Sequence, residues 1–530
     1  MVIGILINLD KQGNLPNWQC QLIEEISDKN EVILINEIST GHSVKRRRLN
    51  NLLWKVYRFL SVSINPSNYE FEEYRNLKIN DISIVNVTNV SENVKFSDIV
   101  ELGTSIEVID SYIRLGWGIL TERTLKVLNK PVLSLHGGDM CLFRGAPQAF
   151  WEMLLGHKSA IINVQILSPV LDAGKIMVKE EVPLKDSWSL NRRELILTGA
   201  RLMVDFVNGN ISQVHQRQAH QEFVMFRYNS NPGFWDSCNF FWLRISKALI
   251  TTITRILYKE RWAVVISQNG KFDKTSTILY SQNEHRADPF VLEIDGKIKI
   301  VYEKMTSLRQ DRCGEIWEYD IASKSEQCLL SRSGIHFSYP YPINLDGCLY
   351  LIPETSNTKR IKVYKYESGI QEYCEFELPI DYKSFADPVL IAFNNRLYLI
   401  LALERFSKRD LTSTLYCFET ADLKSPEWRL IPVEGEFNSG NSRNAGGVLS
   451  NVTSDKFSLP AQDCSRSYGS GLVQREFSFE RGVLKLLKTT NVLMGDGRKI
   501  NGVNVHGVHH FSKYEKIKSF DILIRSSRFV

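Results

Sequence analysis

The character of this 530-residue chain changes abruptly near Trp262, and no single ordinary fold accommodates both sides of the change. Before it, Val2–Asn8 and Val32–Asn36 read as buried strands with a helix at about Trp18–Ile26 between them. That β-α-β opening is the start of a doubly wound sheet. After it, short strands rich in Val, Ile, Tyr and Phe alternate with turns, and helical periodicity disappears. The length already exceeds what one core supports. The expectation is an α/β domain over 1–208, a connector with an amphipathic helix over 209–260, and an all-β domain over 261–530. Ser187–Gly209 reads as the helix that closes the first domain, ended by its glycine.

The second half carries a repeat. Asp288-Pro289 precedes Asp295-Gly296 and the run Lys297–Glu303; Tyr341-Pro342 precedes Asp346-Gly347 and Cys348–Glu354; Asp387-Pro388 precedes Asn394-Asn395 and Arg396–Ile400. A weaker copy runs from Gly446-Gly447 to Asp463, and Trp262–Ser267 reads as part of a flanking copy. Spacings of roughly 45–60 residues are those of propeller blades, and five blades are expected. Because propeller strands begin near the central channel, Asp288, Tyr341 and Asp387 are candidates to ring its mouth. Glu354, Gln462, Asp463, Arg466 and His506 are candidates to join them. Carboxylates there suit glycosidic acid–base chemistry, the binding of sugar hydroxyls, or the anchoring of turns. All three readings stay open.

In the first half the segment Pro131–Met177 is the most informative. It ends an apolar run at His136, adds a Gly-Gly turn, opens a helix after Arg144-Gly145 and Pro147, and ends a second apolar run at Asp172-Ala173-Gly174. Two strand ends bringing a His and an Asp to one rim is how an open α/β sheet builds a site. An imidazole moves a proton near neutral pH, and a carboxylate holds its tautomer and stabilises its cation. A single histidine before a turn is more often structural than catalytic, so the whole pattern carries the argument.

Composition excludes several classes. A formal net charge of +5 is small for the length and argues against nucleic acid as the main partner. Nine cysteines without Cys-x-x-Cys pairs indicate neither a disulfide framework nor a metal site. The opening Met1–Leu9 reads as a strand, not a signal peptide, and the chain reads as cytoplasmic. No stretch has the ~18 uninterrupted apolar residues of a membrane span. In Phe234–Tyr258 the residues Phe241, Ile245, Ala248, Leu249 and Ile256 fall near helical spacing. A helix packed between domains is favoured there over one lying on a membrane. Lys45–Leu60 sets Arg46, Arg47, Arg48, Lys55 and Arg58 around Leu52, Leu53, Trp54 and Tyr57. A solvated surface helix is favoured over contact with an anionic membrane or a phosphate-bearing substrate.

The segment around His136 resembles the 10-formyltetrahydrofolate-dependent formyltransferases, whose pattern runs Asn-x-His, Arg-Gly, Pro, then Asp-x-Gly. The resemblance covers roughly the first 200 residues and is strongest from Ile109 to Met177. It implies a Rossmann-like formyltransferase domain with 10-formyltetrahydrofolate as formyl donor, and His136 and Asp172 as the catalytic pair. It also implies folate contacts from Leu115, Gly116, Trp117, Gly118, Ile119 and Leu120, and from Arg144 and Gly145. Ser134 stands where the family has the asparagine that holds the formyl oxygen. A serine hydroxyl donates one hydrogen bond with a shorter reach.

The second half resembles the five-bladed propellers of glycoside hydrolases, and most of all propellers beside glycan-building transferase domains. The likeness is carried by HFSYPYPI, LIPET, FADPV and PAQDCSRSYGSGL. Together the resemblances imply N-formylation of an amine on an amino sugar or sugar nucleotide, with Asp288, Tyr341, Glu354, Asp387 and Asp463 contacting the glycan. Two alternatives remain. One is a propeller glycosidase, glycosyl-transferring enzyme or glycan binder with a degenerate first domain; the other is a formyltetrahydrofolate hydrolase. Oligomeric state is not legible.

Overall fold

The computed structural model describes residues 1–39, 54, 73–79, 82–91, 95–102, 107–139, 147–170, 173–210, 232–270, 274–306, 311, 313–356, 358–367, 369–435, 440–449, 456–464, 468–494, 498–500 and 502–527. Arg144, Gly145, Asp172 and Arg466 lie outside this set, as does Lys45–Leu60 apart from Trp54. The chain divides into two compact units, Met1–Ile250 and Thr251–Val530.

The first unit is built on a seven-stranded sheet. Its strands are β1 (Val2–Ile7), β2 (Glu31–Ser39), β3 (Ser83–Asn89), β4 (Ser111–Arg114), β5 (Val132–Gly137), β6 (Ser159–Ile166) and β7 (Lys175–Pro183). The spatial order is β7-β6-β5-β4-β1-β2-β3. β1 to β5 are parallel, and β6 runs antiparallel to both of its neighbours. Nearly every residue of β1 is buried, as a strand covered on both faces requires. The chain winds outward through β2 and β3, then returns to place β4 on the other side of β1. That reversal opens a crevice at the carboxyl ends of β1 and β4, the usual ligand position in such sheets.

Helix α1 (Asn17–Ser27) follows β1, α2 (Glu122–Leu128) links β4 to β5, and α3 (Phe150–Leu154) follows β5. Helix α4 (Trp188–Val207) starts where the Ser187 hydroxyl accepts the Leu190 N–H, and it lies along the sheet. Its Arg201 is fully buried and paired with Glu180 and Asp205. The opposite face of the sheet carries Leu6, Ile33, Ile35, Tyr112, Trp117 and Val132 in one apolar cluster with Leu128 of α2. Helix α5 (Phe234–Leu257) follows. Its buried residues are Ser237 and Phe240, whereas Ile245, Leu249 and Ile256, expected on a packed face, are exposed.

The second unit is a five-bladed propeller. Three blades are consecutive four-stranded antiparallel sheets spanning Glu284–Leu330, His336–Phe376 and Ser384–Ile431. The fourth combines Lys456–Asp463, Gly471–Glu480 and Val483–Met494 with the short Val433–Glu434. The fifth is composite: Tyr258–Ser267 pairs antiparallel along its length with Ile517–Ser527, so the two ends of the unit close the ring. Closure removes the exposed sheet edges that an open array would leave. The hairpin turns predicted from sequence all have positive φ at both central residues, at Asp295-Gly296, Asp346-Gly347 and Asn394-Asn395. That is the two-residue geometry matching strand twist, and Asp, Asn and Gly tolerate it best.

One alignment of the repeat is corrected. The inner strands bulge at equivalent places, between Ala287 and Phe290, Ser338 and Tyr341, and Ala386 and Val389. The residues turned inward are therefore Asp288, Tyr339 and Asp387, each before a proline and each at φ near +50° (50°, 44° and 50°). Tyr341 sits two residues further on, where its hydroxyl donates to Leu390 O and its ring meets Phe290 edge-on. It is a core residue.

Candidate functional site

At the carboxyl end of β5 the alternation of the strand puts Ser134 and His136 on one face. β6 pairs with it so that Gln165 lies directly opposite Ser134 and Asn163 opposite His136. Directly opposed residues of antiparallel strands have their Cα atoms about 4.5–5.5 Å apart. The result is a block of one hydroxyl, one imidazole and two carboxamides. Asn163, Gln165 and Ser134 are buried and His136 is half-buried. Asn163 Nδ2 donates to Gly138 O at 3.4 Å, in the turn that follows His136. The buried oxygens Asn163 Oδ1 and Gln165 Oε1 have no hydrogen-bond partner among the described residues. Orphaned buried acceptors in a polar block are the mark of a place that awaits a donor.

Gly174 adjoins the same block. A Cβ on Gly174 would fall 2.6 Å from Gln165 Oε1, so only glycine lets this backbone lie over the carboxamide. Asp172 itself and the Arg144-Gly145 step fall outside the described residues.

Arg114, at the end of β4, ties the block to the loop that follows it. Its Nε donates to Ser134 Oγ at 3.2 Å and one terminal nitrogen to Gly118 O at 2.9 Å. The loop is rigidly held: Leu115 and Gly116 N–H groups donate to Leu6 O, and Gly118 N donates to Ser97 Oγ. A Cβ on Gly116 would lie 2.6 Å from the Asn8 backbone nitrogen, so the loop presses on the end of β1 at the crevice. Trp117 and Leu120, expected to touch a pterin, are turned into the core, and the Trp117 indole N–H is shared between Ile7 O and Ile35 O. Leu115, Gly116, Gly118 and Ile119 keep an accessible side. Sequence reasoning also missed Glu152 of α3. Burial, with a smaller contribution from Asp139, pushes its carboxyl up to about 7. A carboxyl at that value exchanges a proton near neutrality.

The propeller centre holds a second polar cluster of another kind. Arg443 donates from Nε to Asp387 Oδ2 at 2.5 Å and from a terminal nitrogen to Glu354 Oε2 at 3.3 Å. Glu354 Oε2 also accepts the Asp387 N–H at 3.1 Å, and Gln462 Nε2 reaches Asp387 Oδ2 at 3.3 Å. Burial pushes Glu354 up to about 8, with Arg443 opposing and Asp387 adding. Asp288 is raised well above the carboxylate range, by burial first and then by Glu303, Asp387 and Asp521. His509, stacked on Trp262 at 4.0 Å, lies 2.5 Å from Asp521 Oδ2 through Nδ1 and 3.8 Å from Asp288 Oδ1 through Nε2. Asp288, His509 and Asp521 offer three ligand atoms within 4.8 Å of one another. Asp521 is already engaged by the N–H groups of Asp288, His509 and His510, which makes it a buried anchor of the ring.

Sequence reasoning placed Asp288, Glu354, Asp387 and Gln462 at this centre, and the structure brings them together. Asp463 stands half-buried at the end of its strand, and His506 is half-buried as well. Tyr339, Arg443 and His509 were missed. Tyr339 and His509 had a weak signal, a second Tyr-Pro step and a second histidine three residues on. Arg443 lies in a polar stretch, NSGNSRNAGG, without periodicity.

Comparison with known proteins agrees with this division. The family model described as "Glucosamine inositolphosphorylceramide transferase 1, N-terminal" matches residues 272–510. A methionyl-tRNA formyltransferase of Clostridium acetobutylicum is 24% identical over 156 residues, which is 28% of this chain and 50% of the relative. The chain thus spans about half the length of the curated relatives it matches. Among solved structures, a sugar N-formyltransferase from Shewanella sp. is 13% identical with a TM-score of 0.25, covering 44% of this chain and 78% of the other. A "putative exo-beta-1,3-galactanase from Bifidobacterium bifidum s17" is 15% identical with a TM-score of 0.30, covering 39% of this chain and 72% of the other. The first unit is formyltransferase-like and the second is a five-bladed propeller.

Proposed function

We propose that the chain transfers a formyl group from 10-formyltetrahydrofolate to a primary amine of an amino sugar or sugar nucleotide. The observation that carries this reading is the block at the end of β5 and β6: Ser134 and His136 face Gln165 and Asn163, beside Gly174. The fit to a folate rests on the loop after β4, which sits at the crevice and offers Leu115, Gly116, Gly118 and Ile119. Those residues would hold the pterin, and the folate, when bound, supplies the activated formyl carbon. His136 takes the proton released by the attacking amine, with Asp172 holding its tautomer. The family's asparagine is missing at Ser134; the Asn163 carboxamide directly across the strand pair has one Nδ2 hydrogen on Gly138 O, and the other would donate to the oxyanion. Arg114, joined to Ser134, adds positive charge on the same side.

The test is a panel of amino sugars and sugar nucleotides incubated with the purified chain and 10-formyltetrahydrofolate. Tetrahydrofolate formation and a formyl mass gain on the acceptor are the readouts. The reading predicts both with at least one amine, and both slowed about a hundredfold or more in His136→Ala. Formate release at the same rate with and without amine identifies a hydrolase. No turnover of the folate under any condition overturns the reading.

A second reading has its own observation in the propeller centre. Three carboxyl groups, Asp288, Glu354 and Asp387, converge there around Arg443, a set suited to holding sugar hydroxyls. The grip of Arg443 on two of them favours binding over hydrolysis, because a glycosidase needs its two carboxyl groups free on either side of the bond.

A further inference from the structure

Toward the carboxyl ends of β1, β2 and β3 stands a polar row that the formyl-transfer site does not use: Asn8, Asn36, Glu37 and Asn86. Two of its members are spent on structure. Asn36 Oδ1 accepts the Leu9 N–H at 3.0 Å, and Asn36 Nδ2 donates to Asn86 Oδ1 at 2.9 Å. The strand carbonyls below are spent as well, on the shared indole N–H of Trp117. Glu37 is different. Its Oε2 accepts from Asn8 Nδ2 at 2.9 Å, and its buried Oε1 has no hydrogen-bond partner among the described residues. A carboxylate oxygen accepts, so what is missing is a donor. Asn8 is exposed and lies against Gly116, which puts the pair on the wall of the crevice.

Position identifies the donor. Residues 8–16 hold one glycine, Gly13, and no Gly-x-Gly-x-x-Gly cradle. Asp10 takes the N–H groups of Gln12 and Asn14 at 2.8 and 2.7 Å, so donors that a phosphate would need there are already filled by a carboxylate. A dinucleotide laid over α1 does not fit this loop. What remains of the doubly wound pattern is the acidic residue at the end of the second strand, whose partner in such sheets is a ribose 2′-hydroxyl. Register sets the other end of the ligand. Ile35 lies beside Leu6, Leu6 beside Arg114 and Arg114 beside Ser134, so Glu37 and His136, each two residues further on, project from one face. Three strand spacings separate them, about 14 Å. A diphosphate and a hexose bridge such a gap, and they would cross it beside the guanidinium of Arg114. The acceptor's own amine is not the donor to Glu37, because it must reach His136.

We propose that Glu37 binds the ribose 2′-hydroxyl of a ribonucleoside diphosphate sugar whose amine-bearing hexose reaches His136, an assignment that rests on the formyl-transfer reading above. The experiment is calorimetric titration of the full chain, without folate, with the diphosphates of uridine, cytidine, adenosine and guanosine and with their 2′-deoxy counterparts. At least one ribonucleotide should bind about tenfold or more tightly than its deoxy form, the share of one hydrogen bond to a charged acceptor. Glu37→Gln should lose that factor for the ribonucleotide and leave binding of the deoxy form unchanged. Asn8→Ala, at an exposed position, releases Glu37 from its only described partner and should lose part of the factor. Equal binding of the ribo and deoxy forms by wild type, an undiminished preference in Glu37→Gln, or no binding of any of these nucleotides overturns the proposal. Ribose discrimination in a chain that formylates nothing overturns the transfer reading and leaves Glu37 as a ribose site. Formylation of an amine by a chain without ribose discrimination overturns this proposal alone.

Discussion

The edge of the α/β sheet and the centre of the propeller both collect polar side chains from strand ends, but they hold them in opposite ways. At the sheet edge the groups are a hydroxyl, an imidazole and two carboxamides, and two of the buried oxygens lack a donor among the described residues. At the propeller centre Arg443 is met by Asp387 and Glu354 and His509 by Asp521, while the two ring nitrogens of the buried His510 have no hydrogen-bond partner among the described residues. An open parallel sheet must end somewhere, and its carboxyl edge remains available to a ligand. A closed ring of blades turns its inner strands toward one another, so charges carried inward must be met by other side chains. An unfinished set of neutral donors and acceptors suits transfer chemistry. A finished set of charges suits holding a shape or a polar ligand.

That contrast breaks most visibly if Arg443 is removed. Arg443→Met should cost about 3–5 kcal/mol in urea unfolding, because Asp387 and Glu354 would be left buried without their cation. Restoring neutrality with Asp387→Asn in the same chain should recover part of the loss. A cost under about 1 kcal/mol would mean that the carboxyls are not a buried charge network.

Glu152 sharpens the comparison through pH. Its carboxyl, raised to about 7 in the folded protein, keeps its proton where the unfolded chain has already lost one. The folded state therefore binds more protons between about pH 4.5 and 7, so its stability falls as pH rises through that window and levels off above it. The full effect is about 3 kcal/mol. Glu152→Gln should flatten that part of the stability profile relative to wild type, and an unaltered slope would remove Glu152 as its source.

On activity, His136→Ala should lower formyl transfer by about a hundredfold or more, while leaving the denaturation midpoint nearly unchanged, since the ring is half-buried at a strand end. A matching loss in Asp387→Asn at unchanged stability would move the chemistry to the propeller. Smaller again is the effect expected of the carboxamide across from the histidine. Asn163→Ala should slow transfer by about tenfold or somewhat more, as removal of a neutral oxyanion donor does. Ser134→Ala should cost less than that, because its oxygen already accepts from Arg114. The reverse order of those two losses would return the oxyanion role to Ser134.

Much of the frame was readable from residues. The β-α-β opening, the Ser187-capped helix and the turns at Asp295-Gly296, Asp346-Gly347 and Asn394-Asn395 follow from local rules of pattern, capping and φ preference. The identity of the inward-facing tyrosine did not. HFSYPYPI contains two Tyr-Pro steps, and the bulge between Ser338 and Tyr341 selects Tyr339. Asn163 and Gln165 look like the polar half of an ordinary alternating strand until register sets them against His136 and Ser134. Arg443 gives no pattern at all, since its role depends on groups 56 and 89 residues away. For α5 the sequence identified a stripe but not the side that packs, and the buried anchor proved to be Phe240.

The sequence by itself determined the two-part architecture, the number of blades and the strand end that carries His136, because periodicity, turn chemistry and motif spacing are local properties. Tertiary structure alone decided which side chains meet: the carboxamides opposite Ser134 and His136, the carboxyls gathered by Arg443, and the pairing of Tyr258–Ser267 with Ile517–Ser527 that closes the ring. Those are contacts between residues far apart in the chain. They follow from register, bulges and closure, and these are settled only when whole sheets bury their apolar faces together.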